Sequence, residues 1–436
     1  MIKISLIFLI LFSLWVTRDL FRPEFFRSHD ALYHIVRLDQ FHKALISGQF
    51  PVRWAPDLLN GLGYPLFVVN YHLPYYLAET FHLLSLSLFA AIKAVFILSL
   101  VASALTSFWL FYAWTKKPSA AVLGTVFYIL APYRLANIFE RGALGEAVAY
   151  AFVPLVFLGL DRLKQNKSHL LIFALSMLTL SHTVVLLTFA PIFLAYTLLF
   201  VKPKLKFLFL SGLTTFGLTA FQMFPVLFER HYLKFDANLL TAYQGHFKSL
   251  YQLLRLPAAG VNIGTRFQIG LVPLLVLILA CFRIKKFWFW IGSSILAVFL
   301  VTPWSQWLWD NLSVLPWILY PWRFLGVVAF ATAALAALMR PKFLVICILL
   351  LVAWYSTRHY TKVDAFIPPI FPQEMLAGNA TTQNEFDPIS PHKLGSPGRE
   401  TPVRQAGNWL SLATATFWLT CLLRLPIHAA LRRLST

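Results

Sequence analysis

The sequence is short of charge. Only 12% of its 436 residues are Asp, Glu, Lys or Arg, and 59% are hydrophobic; a soluble chain carries about 25% charged residues. Water cannot solvate such a surface, so an ordinary soluble domain is excluded and lipid takes its place. Cysteine is also scarce. Cys281, Cys347 and Cys421 lie in or beside apolar runs, at no spacing that would hold a metal, and read as packing residues. There is no G-x-x-x-x-G-K phosphate loop, which argues against an ATP-driven pump. Internal repeats of the kind found in secondary transporters are absent as well. Acidic residues are the minority sign, 17 against 37 Lys and Arg, for a net charge of +20. That excess is no nucleic-acid patch, because the basic residues sit in short clusters between apolar runs.

What is present is a series of apolar runs. The first, residues 4–17, follows Lys3 and is not succeeded by a small-residue cleavage site, so it reads as an uncleaved span. After a polar stretch from 18 to 60, further runs lie near 89–114, 119–136, 143–161, 169–182, 184–201, 207–227, 267–282, 287–302, 321–339, 343–356 and, more weakly, 408–423. The fold class is therefore all-α, a polytopic transmembrane bundle of about 11–12 spans.

Charge gives the bundle two sides. Lys116/Lys117, Arg162/Lys164/Lys167, Lys202/Lys204/Lys206, Arg283/Lys285/Lys286, Arg340/Lys342 and Arg432/Arg433 fall in tight connections, and the positive-inside rule places these in the cytoplasm. Alternation then requires two short helices across 169–201, broken near Ser181-His182. It also requires that 63–88 lie on the outer surface rather than cross. In this topology all of the 17 acidic residues except Asp161 fall outside. The outer loops thus hold the acid–base chemistry.

Four outer segments carry candidate site residues. In Ser28-His29-Asp30-Ala31-Leu32-Tyr33-His34, Asp30 is a candidate general base or metal ligand, and His34, one helical turn on, a group to orient it. The alternative for Asp30 is an N-cap of a surface helix through Lys43. In the Pro- and Gly-rich stretch 49–65, Arg53 is a candidate phosphate ligand or an interfacial anchor. In the hairpin 133–146, Glu140 and Glu146 are candidates for a second acid, and Arg134 and Arg141 for lipid-phosphate contacts. The alternative is an internal ion-pair network. In Leu319-Tyr320-Pro321-Trp322-Arg323, an arginine stands in the first turn of a helix, against the positive end of its dipole, and calls for an anionic partner. His182, at the expected helix break, is a weaker binding candidate.

The order of the pieces HDALYHIVRLDQFHKALISGQFPVRW, NGLGYPLF, FERGALGEAVAYAFVPLVFLGL, LSHTVVLL and LYPWRFLG, over about residues 28 to 330, resembles a family of bacterial membrane proteins labelled 6-pyruvoyl-tetrahydropterin synthase-related. The organisation also resembles the GT-C superfamily of glycosyltransferases. That resemblance implies a GT-C-like transmembrane domain over 1–360 whose first outer loop, 18–88, carries short surface helices. It implies a bacterial cytoplasmic membrane protein with an extracytoplasmic active face. A polyprenyl-phosphate-linked sugar would be the donor, and a glycan or lipid the acceptor. Asp30 would activate the acceptor hydroxyl or hold a divalent cation, the one cofactor expected; Glu140 or Glu146 would be the second acid, and Arg323 would bind the carrier phosphate. Beyond this domain, 361–406 reads as a Pro-rich outer linker and 407–436 as a weak last span with a basic tail. A lipid or glycan transporter and a non-catalytic scaffold of envelope assembly remain as alternatives. The near absence of mid-span charges weighs against the first.

Overall fold

The computed structural model describes residues 1–234, 240–255, 267–340, 343–381, 387–388 and 400–434. It is a helical bundle, with one two-stranded pairing among the described residues. Among the described residues six helices are long and apolar enough to cross a bilayer, and a seventh candidate is a pair bent by 47°. Four further apolar helices are shorter. The chain is a multi-pass membrane protein, and these segments together approach the count expected from hydropathy.

In chain order the helices are α1 (Ile2–Val16), α2 (Ala31–Ile46), α3 (Leu73–Leu83), α4 (Leu88–Thr115), α5 (Pro118–Ile129), α6 (Pro132–Ala136), α7 (Leu144–Leu163), α8 (His169–Ser181), α9 (Thr183–Tyr196) and α10 (Leu205–Phe228). After the turn Arg230–Tyr232 and a five-residue helix, Leu250–Leu254, come α11 (Leu271–Cys281), α12 (Ile284–Val301), α13 (Leu325–Met339), α14 (Phe343–Thr357) and α15 (Pro402–Leu434), with a six-residue helix, Gln306–Asn311, between α12 and α13. Proline places the breaks: Pro118 and Pro132 each stand at a helix start, where a missing N–H costs nothing. The expected break at His182 is present, with that residue extended at φ −168° and ψ 99°. Residues 63–88 hold only α3, whose 11 residues are too few to cross a bilayer.

Small residues let the central helices close up. α13 is rich in alanine and is buried along almost its whole length. A Cβ added at Gly124 of α5 would lie 2.7 Å from the Ala337 Cβ, so these backbones are in contact. α4 packs on α5 and α7, α7 on α8, α13 on α5 and α12, and α10 on α15.

The two ends differ as the charge map anticipates. At one end Asp161 accepts bonds from Trp114 Nε1 at 2.7 Å and Tyr196 OH at 2.9 Å, and Arg340 reaches the Trp114 carbonyl. This gathers several of the basic connections around the single acid assigned to that side. At the other end lie the first outer loop, the 133–146 hairpin and the 320–323 turn.

There the expected linker differs from the structure. Its described part is packed against the first outer loop rather than free. Strand β1 (Phe25–Phe26) pairs antiparallel with β2 (Phe366–Ile367). The Leu59 and Asn60 amides donate to the Gly378 and Leu376 carbonyls, and Arg37 donates twice to the Ala380 carbonyl, at 2.9 and 2.7 Å. Proline composition suggested free chain, but the paired residues Phe366 and Ile367 keep their N–H groups, and Pro368 and Pro369 follow only after the strand. The remainder of the linker, 382–386 and 389–399, lies outside the described residues.

Candidate functional site

The loop–hairpin contact comes first, because it positions Asp30. The His29 and Asp30 amides donate to the Glu140 and Arg141 carbonyls at 3.1 and 2.8 Å. Gly142, at φ +67°, ends the hairpin turn, and a Cβ there would collide with Ser28 Oγ and come within 3.0 Å of the Ala31 amide. Only glycine permits both that backbone conformation and that approach. Asp30 occupies the N-cap position of α2, yet its side chain makes no capping bond. Ser28 Oγ accepts from the Ala31 amide instead. The carboxylate is thereby free of the local duty that was its alternative reading.

Asp30 lines a cavity of about 810 Å³ at this end of the bundle. The wall also contains Arg37, Arg141, His182, Lys248 and Arg323. Among the charged side chains of described residues there, Asp30 is the single acid and the four others are basic. Asp30, Tyr33 and Arg37 follow the spacing of one helical face on α2, a signal the sequence contained. Lys248 had no such signal, since it lies in an irregular segment between spans. Burial, aided by Arg255, pushes its ammonium down.

Arg141 and Arg323 come from distant segments and share one carboxylate. Glu146, at 1% exposure, accepts from Arg141 at 2.8 Å and Arg323 Nε at 3.1 Å on Oε1. Its Oε2 accepts from Tyr133 OH at 2.9 Å and Asn137 Nδ2 at 3.0 Å. Two guanidinium groups against one carboxylate leave an excess positive charge beside the cavity. Arg141 further rests on the Trp322 ring at 4.6 Å, and Arg323 donates to the Ile318 carbonyl at 2.8 Å. The pair is therefore held rigidly, as an anion site requires.

Several candidates fall elsewhere. Glu146 is not part of the cavity wall; with four donors on its oxygens it is a counterion, the ion-pair alternative. Glu140 faces a separate space of about 10 Å³ beside His359, Tyr360, Lys362 and Asp364. Glu140 and Arg141 are adjacent on the helical turn Asn137–Arg141, and consecutive side chains of a helix point to different faces. Arg134 points into the bundle, donating to Ser103 Oγ at 2.9 Å and lying over Tyr128 and Tyr150 at 4.2 and 5.0 Å. Arg53 is buried against the Phe221 carbonyl at 2.7 Å and Asn408 Oδ1 at 3.1 Å, tying the first loop to α10 and α15. His34 pairs through Nδ1 with Tyr75 OH at 2.9 Å, behind the cavity wall.

A divalent cation has little to bind here. Among the described residues no three His, Cys, Asp or Glu side chains form a group that could hold a metal. At Asp30 an ion would find one carboxylate in the field of Arg141.

No family model matches the chain. An uncharacterized protein of Lactococcus lactis subsp. cremoris (strain MG1363) is 25% identical over 280 residues, covering 57% of this chain and 45% of that protein. Among solved structures, a mutant of the arabinofuranosyltransferase AftD from mycobacteria is similar at TM-score 0.48 and 14% identity, over 81% of this chain and 27% of that one. AftD itself gives 0.46 at 14% identity, over 82% and 26%. The chain thus spans less than half of the curated relative and about a quarter of these structures. Likeness of this degree speaks to neither activity nor substrate.

Proposed function

We propose that the chain is a GT-C-like glycosyltransferase that takes a sugar from a polyprenyl-phosphate carrier. The reaction would occur at the outer face of the bacterial cytoplasmic membrane. One observation carries this reading: a carboxylate freed from capping, Asp30, shares a cavity with two arginines whose hydrogen-bonded counterion is the single carboxylate of Glu146. The chemistry needs that set. Asp30 accepts the proton of an acceptor hydroxyl as its oxygen bonds to the anomeric carbon. The bond from that carbon to the carrier phosphate breaks, and the phosphate leaves as a dianion beside Arg141 and Arg323. An anionic leaving group needs cations rather than a proton donor, so a second acid is not required. The outer face follows from the positive-inside rule, because the cavity lies opposite the basic connections.

The test uses cells lacking the chain and complemented with wild type or Asp30→Asn. The variant should insert and fold, and sugar incorporation into envelope glycans should fall by roughly 10²–10⁴-fold, as expected for loss of a general base. Undiminished incorporation would remove the reading.

A transporter reading draws on the helix break at His182, which opens the start of α9 onto the same cavity, as broken helices do at transporter sites. Asp30→Asn separates the two: substrate movement across proteoliposomes without any change in glycan linkage would favour transport.

A further inference from the structure

The first outer loop holds a histidine pair that the cavity chemistry does not use. His42 on α2 and His82 on α3 face each other, with ring centroids 4.7 Å apart and planes at 82°. Glu79, one turn before His82 on α3, is buried, and its Oε1 accepts from His42 Nδ1 at 2.7 Å. His82 Nδ1 donates to the Leu86 carbonyl at 2.8 Å. A carbonyl only accepts, and so does an ionised carboxylate. Both rings are therefore fixed as Nδ1–H tautomers with the lone pair on Nε2. Neither Nε2 has a hydrogen-bond partner among the described residues, and neither is closed off from solvent. The rings themselves are only partly buried.

Metal-binding histidines have this arrangement: one nitrogen ligates, and the other ring N–H is held by a carboxylate or a backbone carbonyl. The spacing agrees. With nitrogen–metal bonds of about 2.1 Å, two imidazoles on one ion have centroids roughly 4.6–5.3 Å apart for angles of about 90–110°. The charge agrees as well. Among the described residues no Lys or Arg pairs with Glu79. Lys43, next to His42 in sequence, is bonded to both Asp39 at 2.9 Å and Asp57 at 2.6 Å. Three carboxylates thus stand against one ammonium, in a chain whose net charge is +20.

We propose that His42 and His82 bind a divalent transition-metal ion of the zinc or copper class through their Nε2 atoms. Glu79 orients His42, and water completes the coordination. Imidazole selects such ions over Mg²⁺ and Ca²⁺, which prefer oxygen. Two protein ligands make a weaker site than the three or four of catalytic and structural zinc. The ion bridges α2 to α3, and so clasps the loop whose helix α2 starts beside Asp30. None of the three residues lines the cavity, so the site does not rest on the transferase reading.

Titration calorimetry of the full, untagged chain in nanodiscs with Zn²⁺ alone tests this, with empty nanodiscs as the blank. Pulsed EPR with Cu²⁺ counts the bound imidazoles. Wild type should bind Zn²⁺ in preference to Mg²⁺ and show two imidazoles on Cu²⁺. Glu79→Gln keeps both ligands; it should still show two imidazoles and lose about tenfold in Zn²⁺ affinity. His42→Gln and His82→Gln should each lose more than that and show one imidazole. Zn²⁺ should raise the melting midpoint of wild type and leave that of His82→Gln where it is. Wild type that binds no Zn²⁺ overturns the proposal. So do two histidine variants, folded by their metal-free melting curves, that keep wild-type affinity or both imidazoles.

Discussion

Glu146 and Arg323 lie 177 positions apart and meet at 3.1 Å, Oε1 to Nε. The same oxygen takes the Arg141 bond at 2.8 Å, so one carboxylate joins α7, the hairpin and the turn before α13. Replacing Glu146 with Ala leaves two buried guanidinium groups without their counterion. Breaking a buried pair from one side costs on the order of 3–5 kcal/mol. The melting midpoint in nanodiscs should drop accordingly, while Glu146→Gln, which retains an oxygen, loses less. An unchanged midpoint in Glu146→Ala would show that the network does not hold the fold.

Arg323 and Arg134 should behave oppositely, although both were candidates for phosphate contacts. Arg323→Lys retains charge but not the guanidinium fork. Donor KM should rise by roughly 10–100-fold, the range of one hydrogen bond between charged groups. Arg134→Met removes a buried charge away from the cavity. Stability should hold or rise, because an apolar residue of similar volume avoids the cost of desolvation. A phosphate-binding defect in Arg134→Met would contradict its placement.

Gly145→Ala reports on the Tyr71–His182 wall. The added methyl has no room between the two rings. Overpacking of this kind costs about 1–3 kcal/mol. Substrate KM should rise, because His182 lines the cavity and stands within the field of Arg141 and Arg323.

Stability should fall in mild acid. Burial, reinforced by Arg37, holds the His34 imidazole well below its ordinary value of 6.5. The unfolded chain therefore binds a proton that the folded one refuses. The contribution is complete above about pH 6.5 and shrinks as pH falls below it, toward the lowered folded value. His34→Gln should flatten the melting-temperature curve between pH 7.5 and 5 by up to one proton's slope. An unchanged slope would show that His34 is not responsible.

Much of the architecture was legible because hydropathy and charge are local quantities. The break between α8 and α9 followed from the length of an apolar run and the parity of the basic loops. The turn at Pro321 and the surface helix after Asp30 followed from capping and proline rules. The site was less legible. Arg134 and Arg141, Glu140 and Glu146 looked equivalent in one hairpin. On the turn 137–141 Arg141 lines the cavity, whereas its neighbour Glu140 lines a separate small space. Lys248 carried no signal, because it does not lie on a periodic element.

The sequence by itself determined a sided, many-spanning helical protein with its acids gathered at one end, since the bilayer imposes rules that short windows satisfy or break. Which carboxylate stands free was decided by the tertiary structure alone. Asp30 owes its freedom to Ser28, which takes the cap, and to the hairpin carbonyls that hold the backbone around it. Glu146 lost its freedom to donors on four other residues. The Ser28 cap and three of the Glu146 donors are near in sequence. Arg323, 177 positions from Glu146, and the hairpin carbonyls that hold His29 and Asp30 are not, and no local pattern of residues encodes those contacts.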